Sequence, residues 1–206
     1  MKISLQQAGK RYIRDWVFKG INFNFEPHQS YALLGTNGSG KSTLLRILAG
    51  MQTLSSGKIE YFSNTEIIPP EKVYAQISFC APAMELIEEM NLKEFLEFHF
   101  SFKKIKAGWN INTIIEKMQL KNATHKFIGD YSSGMKQRVK LAQAFFSDTS
   151  CLLLDEPCSN LDQQGVSMYQ DWLKEFGDNR LVIIASNDER EYIGVNNTLN
   201  ILNYKN

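Results

Sequence analysis

The stretch Gly35-Thr36-Asn37-Gly38-Ser39-Gly40-Lys41-Ser42 decides how the rest of the sequence is interpreted. Its spacing, G-x-x-x-x-G-K-S, is typical of a loop whose backbone N–H groups point inward and hold a phosphate chain. Such a loop needs glycines, because residues with a Cβ atom rarely adopt the required backbone conformations. The lysine would contact phosphate oxygens, and the serine hydroxyl would bind Mg²⁺. We therefore predict a nucleotide-binding loop here, with Thr43 also part of the site.

The sequence on both sides of the loop provides the context that this motif requires. An apolar strand is predicted before it at 31–34, and an apolar-periodic helix is predicted after it at about 42–49. The N-terminus of a helix offers free N–H groups and the positive end of the helix dipole to an anion. This context disfavours the alternative interpretation, a plain glycine-rich turn.

A second motif lies in the last third of the chain, where the apolar run 151–154 ends in Asp155 and Glu156. In an α/β sheet the carboxyl ends of the strands face the ligand. We predict that Asp155 supports Mg²⁺ and that Glu156 orients or deprotonates an attacking water. Taken alone, the pattern would be an ordinary transition from strand to loop, but together with the glycine-rich loop it indicates nucleotide hydrolysis.

The apolar pattern predicts strands towards both ends of the chain and helices in the middle. Strands that alternate with helices favour a parallel α/β core, so the helical middle is predicted to be an insertion. The predicted strands are 1–6, 17–25, 31–34, 58–62, 73–80, 151–154, 181–185 and 199–202, and the predicted helices are 42–49, 92–102, 111–120, 132–146 and 161–176.

Bulk composition narrows the functional classes. The chain has 206 residues and 43% hydrophobic residues, which suffice for a sizeable core. A net charge of +1 gives no electrostatic reason to expect a nucleic-acid partner. The cysteines (Cys80, Cys151 and Cys158) lack metal-ligand spacing, and we predict reduced thiols in a cytosolic protein. No signal-peptide stretch or apolar run of about 20 residues is visible, so we expect any action at a membrane to take place from outside the bilayer.

A third motif decides the class. The stretch Tyr131-Ser132-Ser133-Gly134-Met135-Lys136-Gln137-Arg138 precedes Asp155, and Ser159-Asn160-Leu161-Asp162 follows Glu156. The pair resembles the signature and the D-loop of ATP-binding subunits of ABC transporters. Ser132 and Gly134 match the usual signature Leu-Ser-Gly-Gly-Gln, whereas Tyr131, Ser133 and Met135 depart from it. A serine and small residues at the start of a helix can form a second phosphate cradle, although Ser132 could also be a simple helix N-cap.

The resemblance covers essentially the whole chain and implies its architecture. That architecture is an α/β P-loop NTPase, with a RecA-like core, an N-terminal antiparallel β subdomain and an inserted α-helical subdomain. We expect one ABC ATPase domain over residues 1–206. Residues 1–83 and 150–206 would form the β subdomain and the core, and residues 84–149 would form the helical subdomain that carries the signature.

The resemblance also implies further site residues. Tyr12 stands where the family has an aromatic side chain that stacks on adenine, with Trp16 as a rival. Ser132, Ser133 and Gly134 would bind the ATP held by a second copy. Catalysis would involve Glu156, Lys41 and Asn187.

Two departures from the family pattern bear on the rate of hydrolysis, though not on nucleotide binding. Asn187 stands where the family usually has a histidine that contacts the γ-phosphate. Pro82 stands where it usually has a glutamine that senses Mg²⁺ and the membrane partner. The nearest glutamine, Gln76, lies on the strand predicted before it.

The resemblance implies an ATP-binding and ATP-hydrolysing subunit that powers an ABC transporter, with ATP and Mg²⁺ as cofactors. The stretch 131–138, the short chain and the lack of a C-terminal regulatory domain look most like ABC-2-type exporters, and cytochrome c maturation haem-exporter ATPases are similarly compact. The expected partners are a separate integral membrane subunit and a second ATPase subunit, identical or paralogous, at the inner face of the cell membrane. Two alternatives stay open: a soluble ABC ATPase without transport, and a regulatory cassette that hardly hydrolyses ATP.

Overall fold

The first sheet is antiparallel and is built mainly from the N-terminal strands. A computed structural model describes residues 1–195 and 197–205. In it, β1 (Lys2–Tyr12) pairs with β2 (Asp15–Phe25) and with a strand further along the chain, Ser56–Ser63, which in turn pairs with Glu66–Ile67. Shifts of register after Leu5 and after Ala8 interrupt the alternation of side chains in β1. The strand continues to Tyr12, well past the predicted end at residue 6.

The second sheet is parallel and five-stranded. Its strands are β3 (Ser30–Leu34), β6 (Ile77–Cys80), β7 (Cys151–Asp155), β8 (Leu181–Ala185) and β9 (Asn197–Asn200), in the order β6-β7-β8-β3-β9. The labels β4 (Ser56–Ser63) and β5 (Glu66–Ile67) belong to the last two strands of the first sheet. The central strands β7 and β8 are buried along their whole length, as expected of a parallel sheet covered on both faces.

The helices flank this sheet and begin at capping residues that the sequence supplies. They are α1 (Lys41–Leu48), α2 (Pro70–Val73), α3 (Leu92–Phe102), α4 (Ile111–Lys117), α5 (Ser133–Phe145) and α6 (Gln163–Gly177). Asn91 and Asn110 form capping boxes at α3 and α4, and the side chains of Ser132 and Asp162 cap α5 and α6.

Two hydrophobic clusters lie on opposite faces of the parallel sheet. Cys151 and Leu153 of β7 belong to the cluster that contains α1 and the antiparallel sheet. Leu152 and Leu154 of the same strand belong to the cluster that contains α3 to α6. Alternate residues of a strand point to opposite faces, so one strand serves both clusters. The architecture confirms the predicted α/β P-loop NTPase fold with an N-terminal antiparallel β subdomain.

The structure corrects the predicted strand at 73–80. Only Ile77–Cys80 is extended, because Pro70 opens the short helix α2 and a 3₁₀ turn, Tyr74–Gln76, follows it. Proline favours the first position of a helix, where its missing N–H costs nothing. Gln76 therefore lies on a turn and not on a strand. The last strand was also misplaced at 199–202, since residues Ile201–Tyr204 form a 3₁₀ turn after β9.

Within residues 1–195 and 197–205, no helix combines the length and the apolar character needed to cross a membrane.

Candidate functional site

The glycine-rich loop between β3 and α1 is shaped by left-handed backbone conformations. Gly38 has a φ of 73° and Gly40 a φ of 105°, and residues with a Cβ atom rarely adopt such positive values. A Cβ atom at Gly40 would also clash with Cγ1 of Val17. Both the backbone conformation and the packing thus require glycine at position 40. The N-terminus of α1 follows directly, so its free N–H groups open onto the loop.

The ammonium group of Lys41 is folded back onto the loop. Its Nζ donates to the carbonyl oxygens of Gly35 at 2.7 Å and Thr36 at 3.3 Å, and to Oδ1 of Asn187 at 3.1 Å. All three acceptors are neutral, and no ion pair of Lys41 occurs in the described part of the chain. Burial lowers the pKa of Lys41, and the nearby carboxylate of Glu156 opposes that shift. A buried ammonium without an anionic partner fits a phosphate chain.

Ser42 and Asp155 form the second half of the site. The Ser42 hydroxyl donates a hydrogen bond of 2.9 Å to Oδ1 of Asp155, the last residue of β7. Burial raises the pKa of Asp155, and the hydrogen bond from Ser42 opposes that rise. Oxygen donors are the ligands that Mg²⁺ prefers, and it is usually held by one or two carboxylates together with substrate phosphates. A hydroxyl beside one carboxylate at the end of the phosphate loop fits this requirement.

Glu156 lies at the mouth of the same site in an uncommon conformation. Its φ is 41°, in the left-handed region, and its N–H donates to the carbonyl of Ala185 at 2.9 Å. A cleft of about 320 Å³ is lined by Glu156, Tyr12, Val17 and the loop residues 37–43. The structure thus brings the predicted water-activating acid, the phosphate loop and the predicted adenine-stacking residue to one cleft.

Tyr12 ends β1 and is half exposed. Its hydroxyl accepts a hydrogen bond of 2.5 Å from Nε2 of Gln52, a residue that the sequence did not indicate. The rival aromatic, Trp16, carries two basic side chains over its ring, Arg11 at 5.6 Å and Lys19 at 5.1 Å. Lys10 likewise lies over the Tyr12 ring, with its Nζ 5.3 Å from the ring centroid. What distinguishes the two aromatics is that Tyr12 lines the cleft and Trp16 is not among its lining residues.

Asn187 follows β8 by two residues and contacts the phosphate loop. Its Oδ1 accepts from Lys41, and its Nδ2 donates to Oδ1 of Asn37 at 2.5 Å. Pro82, the other departure from the family pattern, lies on a loop. Its main-chain carbonyl accepts a hydrogen bond of 2.7 Å from Nζ of Lys140. Gln76 is engaged elsewhere, because its Oε1 accepts from the Ser150 hydroxyl at 2.9 Å.

The signature residues lie apart from the phosphate loop of the same chain. Ser132, Ser133 and Gly134 line a second cleft together with Asn160, Leu161 and Asp162 of the D-loop stretch. The Ser132 hydroxyl accepts a weak hydrogen bond of 3.3 Å from the Met135 N–H and so caps α5. A Cβ atom at Gly134 would lie 2.9 Å from the carbonyl oxygen of Asn160. The phosphate loop and the signature residues therefore lie in two separate clefts of one chain.

Two buried residues near the site were missed by sequence reasoning. Gln137 and Glu191 each hydrogen-bond the main chain directly after Glu156. Gln137 lies within the quoted signature stretch, but nothing in its sequence context marked it as a contact of the Glu156 loop. Glu191 lies in a run of charged residues that reads as a solvated surface.

Comparisons with known proteins identify relatives that are described as ABC transporter proteins. A sequence model described as ABC transporter matches residues 18–159. The uncharacterized ABC transporter ATP-binding protein YybJ of Bacillus subtilis is 33% identical over 200 residues, which cover 94% of this chain and 88% of that protein. YxlF of the same organism, with the same description, is 32% identical over 187 residues, and the match covers 89% of this chain but only 62% of YxlF.

Relatives with other printed roles match at slightly lower identity. The sulfate/thiosulfate import ATP-binding protein CysA of Mesostigma viride is 28% identical, with 98% of this chain and 60% of that protein covered. The chain thus spans about three fifths of the length of some of these relatives.

Solved structures share the fold. One from Pyrococcus furiosus covers 100% of both chains with a TM-score of 0.82 at 23% identity. A bacterial Atm1-family ABC exporter with ATP bound gives a TM-score of 0.80 at 17% identity, over 97% of this chain and 37% of that one.

Proposed function

Because the chain belongs to the family of ABC transporter ATP-binding domains, we propose that it binds ATP with Mg²⁺ and hydrolyses it as the energy-supplying subunit of a transporter. The observation that carries this proposal is the meeting of Lys41, Ser42 and Glu156 in one cleft, with Asp155 hydrogen-bonded to Ser42 beside it. An ATPase needs a phosphate cradle, a metal position and a water-activating acid at one place. These residues supply all three.

Each residue then has a proposed role. Lys41 binds the β- and γ-phosphates, together with the N–H groups of the loop from Gly35 to Thr43. Ser42 and Asp155 hold Mg²⁺, which when bound neutralises charge on the phosphate oxygens. Glu156 orients and deprotonates the attacking water, and Asn187 donates from its amide to the γ-phosphate. Tyr12 stacks on the adenine.

The active form is proposed to be a head-to-tail dimer. Ser132, Ser133 and Gly134 lie in a cleft of their own and would bind the ATP held by the phosphate loop of a second copy, or of a paralogue. Nucleotide bound between two chains pulls them together, and its hydrolysis releases them. Closure and reopening would be the power stroke.

We assign the membrane subunit to a separate chain. On this proposal the protein lies at the inner face of the cell membrane. Its chain forms one ABC ATPase domain with a helical subdomain at 84–149, while the β subdomain and the core comprise 1–83 and 150–206. The stretch 131–138 supports an ABC-2-type exporter, while relatives such as CysA carry names that indicate import. Pull-down from detergent-solubilised membranes tests the class. An integral ABC-2-type partner is expected, and an importer permease would overturn the exporter assignment.

A regulatory cassette that hardly hydrolyses ATP is the second candidate, and the geometry at Asn187 favours it. Both polar atoms of this amide are already engaged, with Lys41 and Asn37, and the side chain cannot take up a proton near neutral pH. A phosphate-release assay on the purified chain with Mg²⁺ and ATP separates the two functions. Multiple turnovers that disappear in Lys41→Ala support the ATPase. Tight ATP binding without turnover supports the regulator.

A further inference from the structure

One peptide group, between Pro157 and Cys158, is held at both of its polar ends by buried side chains. The Pro157 carbonyl accepts a hydrogen bond of 2.8 Å from Nε2 of Gln137, and the Cys158 N–H donates one of 2.6 Å to Oε1 of Glu191. A peptide group is planar and rigid. Two bonds at opposite ends therefore fix its position and its orientation, and only Pro157 separates this group from Glu156.

The two side chains come from different parts of the fold. Gln137 lies in α5, the helix that begins at the signature, and Glu191 lies four residues after Asn187. Both are almost fully buried, at 2% and 4% exposure. Glu191 is itself anchored, since its main-chain carbonyl accepts from the Tyr169 hydroxyl at 2.6 Å. The peptide group thus joins the signature helix, the Glu156 loop and the loop after β8.

A carboxyl side chain at position 191 is costly to bury. Its second oxygen, Oε2, is buried and has no hydrogen-bond partner among the described residues. Burial raises the pKa of Glu191, and the Ser186 side chain and the Cys158 N–H oppose that rise. A neutral acceptor would satisfy the Cys158 N–H at lower cost. Costly polar groups of this kind persist where they hold a functional element in place.

Glu156 needs such support, because its φ of 41° is unfavourable for a residue with a side chain. Strained residues of this sort persist only where their surroundings hold them. We propose that Gln137 and Glu191 are positioning residues for Glu156, which act by holding the Pro157–Cys158 peptide group. The inference rests on the proposed role of Glu156 in hydrolysis, and it adds two residues that act through it.

The hold itself is tested without nucleotide, by hydrogen–deuterium exchange of the purified full chain followed over the peptide 156–160. Glu191→Ala removes the acceptor of the Cys158 N–H and should speed exchange there at least tenfold. Glu191→Gln keeps an amide oxygen at the same place and should restore slow exchange. Equal exchange in the parent and in Glu191→Ala would overturn the proposal, whatever the chain does with ATP.

The positioning role is tested by single-turnover hydrolysis with saturating Mg²⁺ and ATP. Glu191→Ala and Gln137→Met, which keeps the side-chain volume, should each slow hydrolysis about ten- to 100-fold, since small displacements of a reacting group cost that much. Binding of a fluorescent ATP analogue should change less than twofold, which also reports that the variants are folded. Glu191→Gln should recover most of the rate.

A double-mutant comparison separates positioning from general loosening of the fold. If Glu191 acts through Glu156, Glu191→Ala should have no further effect on the residual rate of Glu156→Gln. An equal loss in both backgrounds would overturn the proposal. A parent chain that binds ATP but does not turn it over would instead contradict the proposed ATPase, and the exchange experiment would still decide whether the hold exists.

Discussion

The hydroxyl of Ser42 donates a 2.9 Å hydrogen bond to the carboxylate of Asp155, although the two residues are 113 positions apart in the chain. The bond joins the start of α1 to the end of β7, and so places the proposed metal ligands beside the phosphate loop. Removing one partner leaves a buried polar group unsatisfied and removes a proposed ligand of Mg²⁺.

Asp155→Asn should therefore weaken the apparent affinity for Mg²⁺ in ATP hydrolysis about 10- to 100-fold. A titration of Mg²⁺ at fixed ATP measures it. Asp171→Asn is the matched control, because that side chain is exposed on α6. An Asp155→Asn variant with the Mg²⁺ dependence of the control would exclude Asp155 from the metal site.

The same carboxylate predicts a pH dependence. Burial raises the pKa of Asp155, so it takes up a proton at a higher pH than an exposed aspartate does. Only the ionised form binds Mg²⁺ well, so Mg²⁺ affinity should be full above the raised pKa and should fall as the pH drops through it. Mg²⁺ titrations across the acidic range measure this, and Asp155→Asn should flatten the profile. A profile that Asp155→Asn leaves unchanged would assign the titration to another group.

Lys41→Ala should weaken ATP binding by roughly ten- to 100-fold or more. Hydrogen bonds that involve charged groups contribute about 1.5–3 kcal/mol each, and Lys41 is the cation whose ammonium group folds back onto the loop. Binding of a fluorescent ATP analogue measures the loss. Lys58→Ala, at an exposed lysine of β4, is the control. Equal binding by the two variants would show that Lys41 does not contact the phosphates.

Asn187→His should raise the single-turnover rate with little change in ATP affinity. Histidine is longer and can carry a proton near neutral pH, and a well-placed donor to a developing negative charge is worth about 10²–10³ in rate. An unchanged or lower rate would mean that the contacts of Asn187 with Lys41 and Asn37 already place its amide for the reaction. Asn187→Ala is the companion variant, and if it hydrolyses ATP as fast as the parent, Asn187 has no part in the reaction.

Gly134→Ala should weaken ATP-dependent dimerisation while leaving ATP binding by the single chain unchanged. The added Cβ atom would lie 2.9 Å from the Asn160 carbonyl oxygen, so the signature and the D-loop stretch must move apart. Size-exclusion chromatography in a Glu156→Gln background measures the dimer. Gly129→Ala, where the nearest atom to the new Cβ is 3.4 Å away, is the control. Dimers of equal strength in both variants would argue against a signature at the interface.

The sequence predicted the site best where a motif carries its own chemistry. The loop from Gly35 to Ser42 needs glycines, a lysine and a hydroxyl in a fixed order, so its conformation could be anticipated. Ser42 and Asp155 were both assigned to Mg²⁺, and their hydrogen bond agrees with that assignment. Asn187 could be placed beside the phosphates by resemblance alone, and its bond to Lys41 agrees with that placement.

Contacts between distant residues without a motif could not be predicted. Gln137 and Glu191 meet one peptide group only because α5 and the loop after β8 converge in the fold. The sequence marks Glu191 as one of several adjacent charged residues. Likewise the apolar run at 73–80 is short enough to fit a strand as well as a helix. Only Pro70, which opens α2, indicates that the start of this run is not a strand.

The most direct test of the account is the rate of single-turnover phosphate release by Glu156→Gln compared with the parent chain, with saturating Mg²⁺ and ATP. A general base typically contributes about 10²–10⁴ in rate. We predict a loss of that size while binding of a fluorescent ATP analogue stays within twofold of the parent. A Glu156→Gln variant that releases phosphate at the parent rate would contradict the assignment of this cleft as the site of ATP hydrolysis by Glu156.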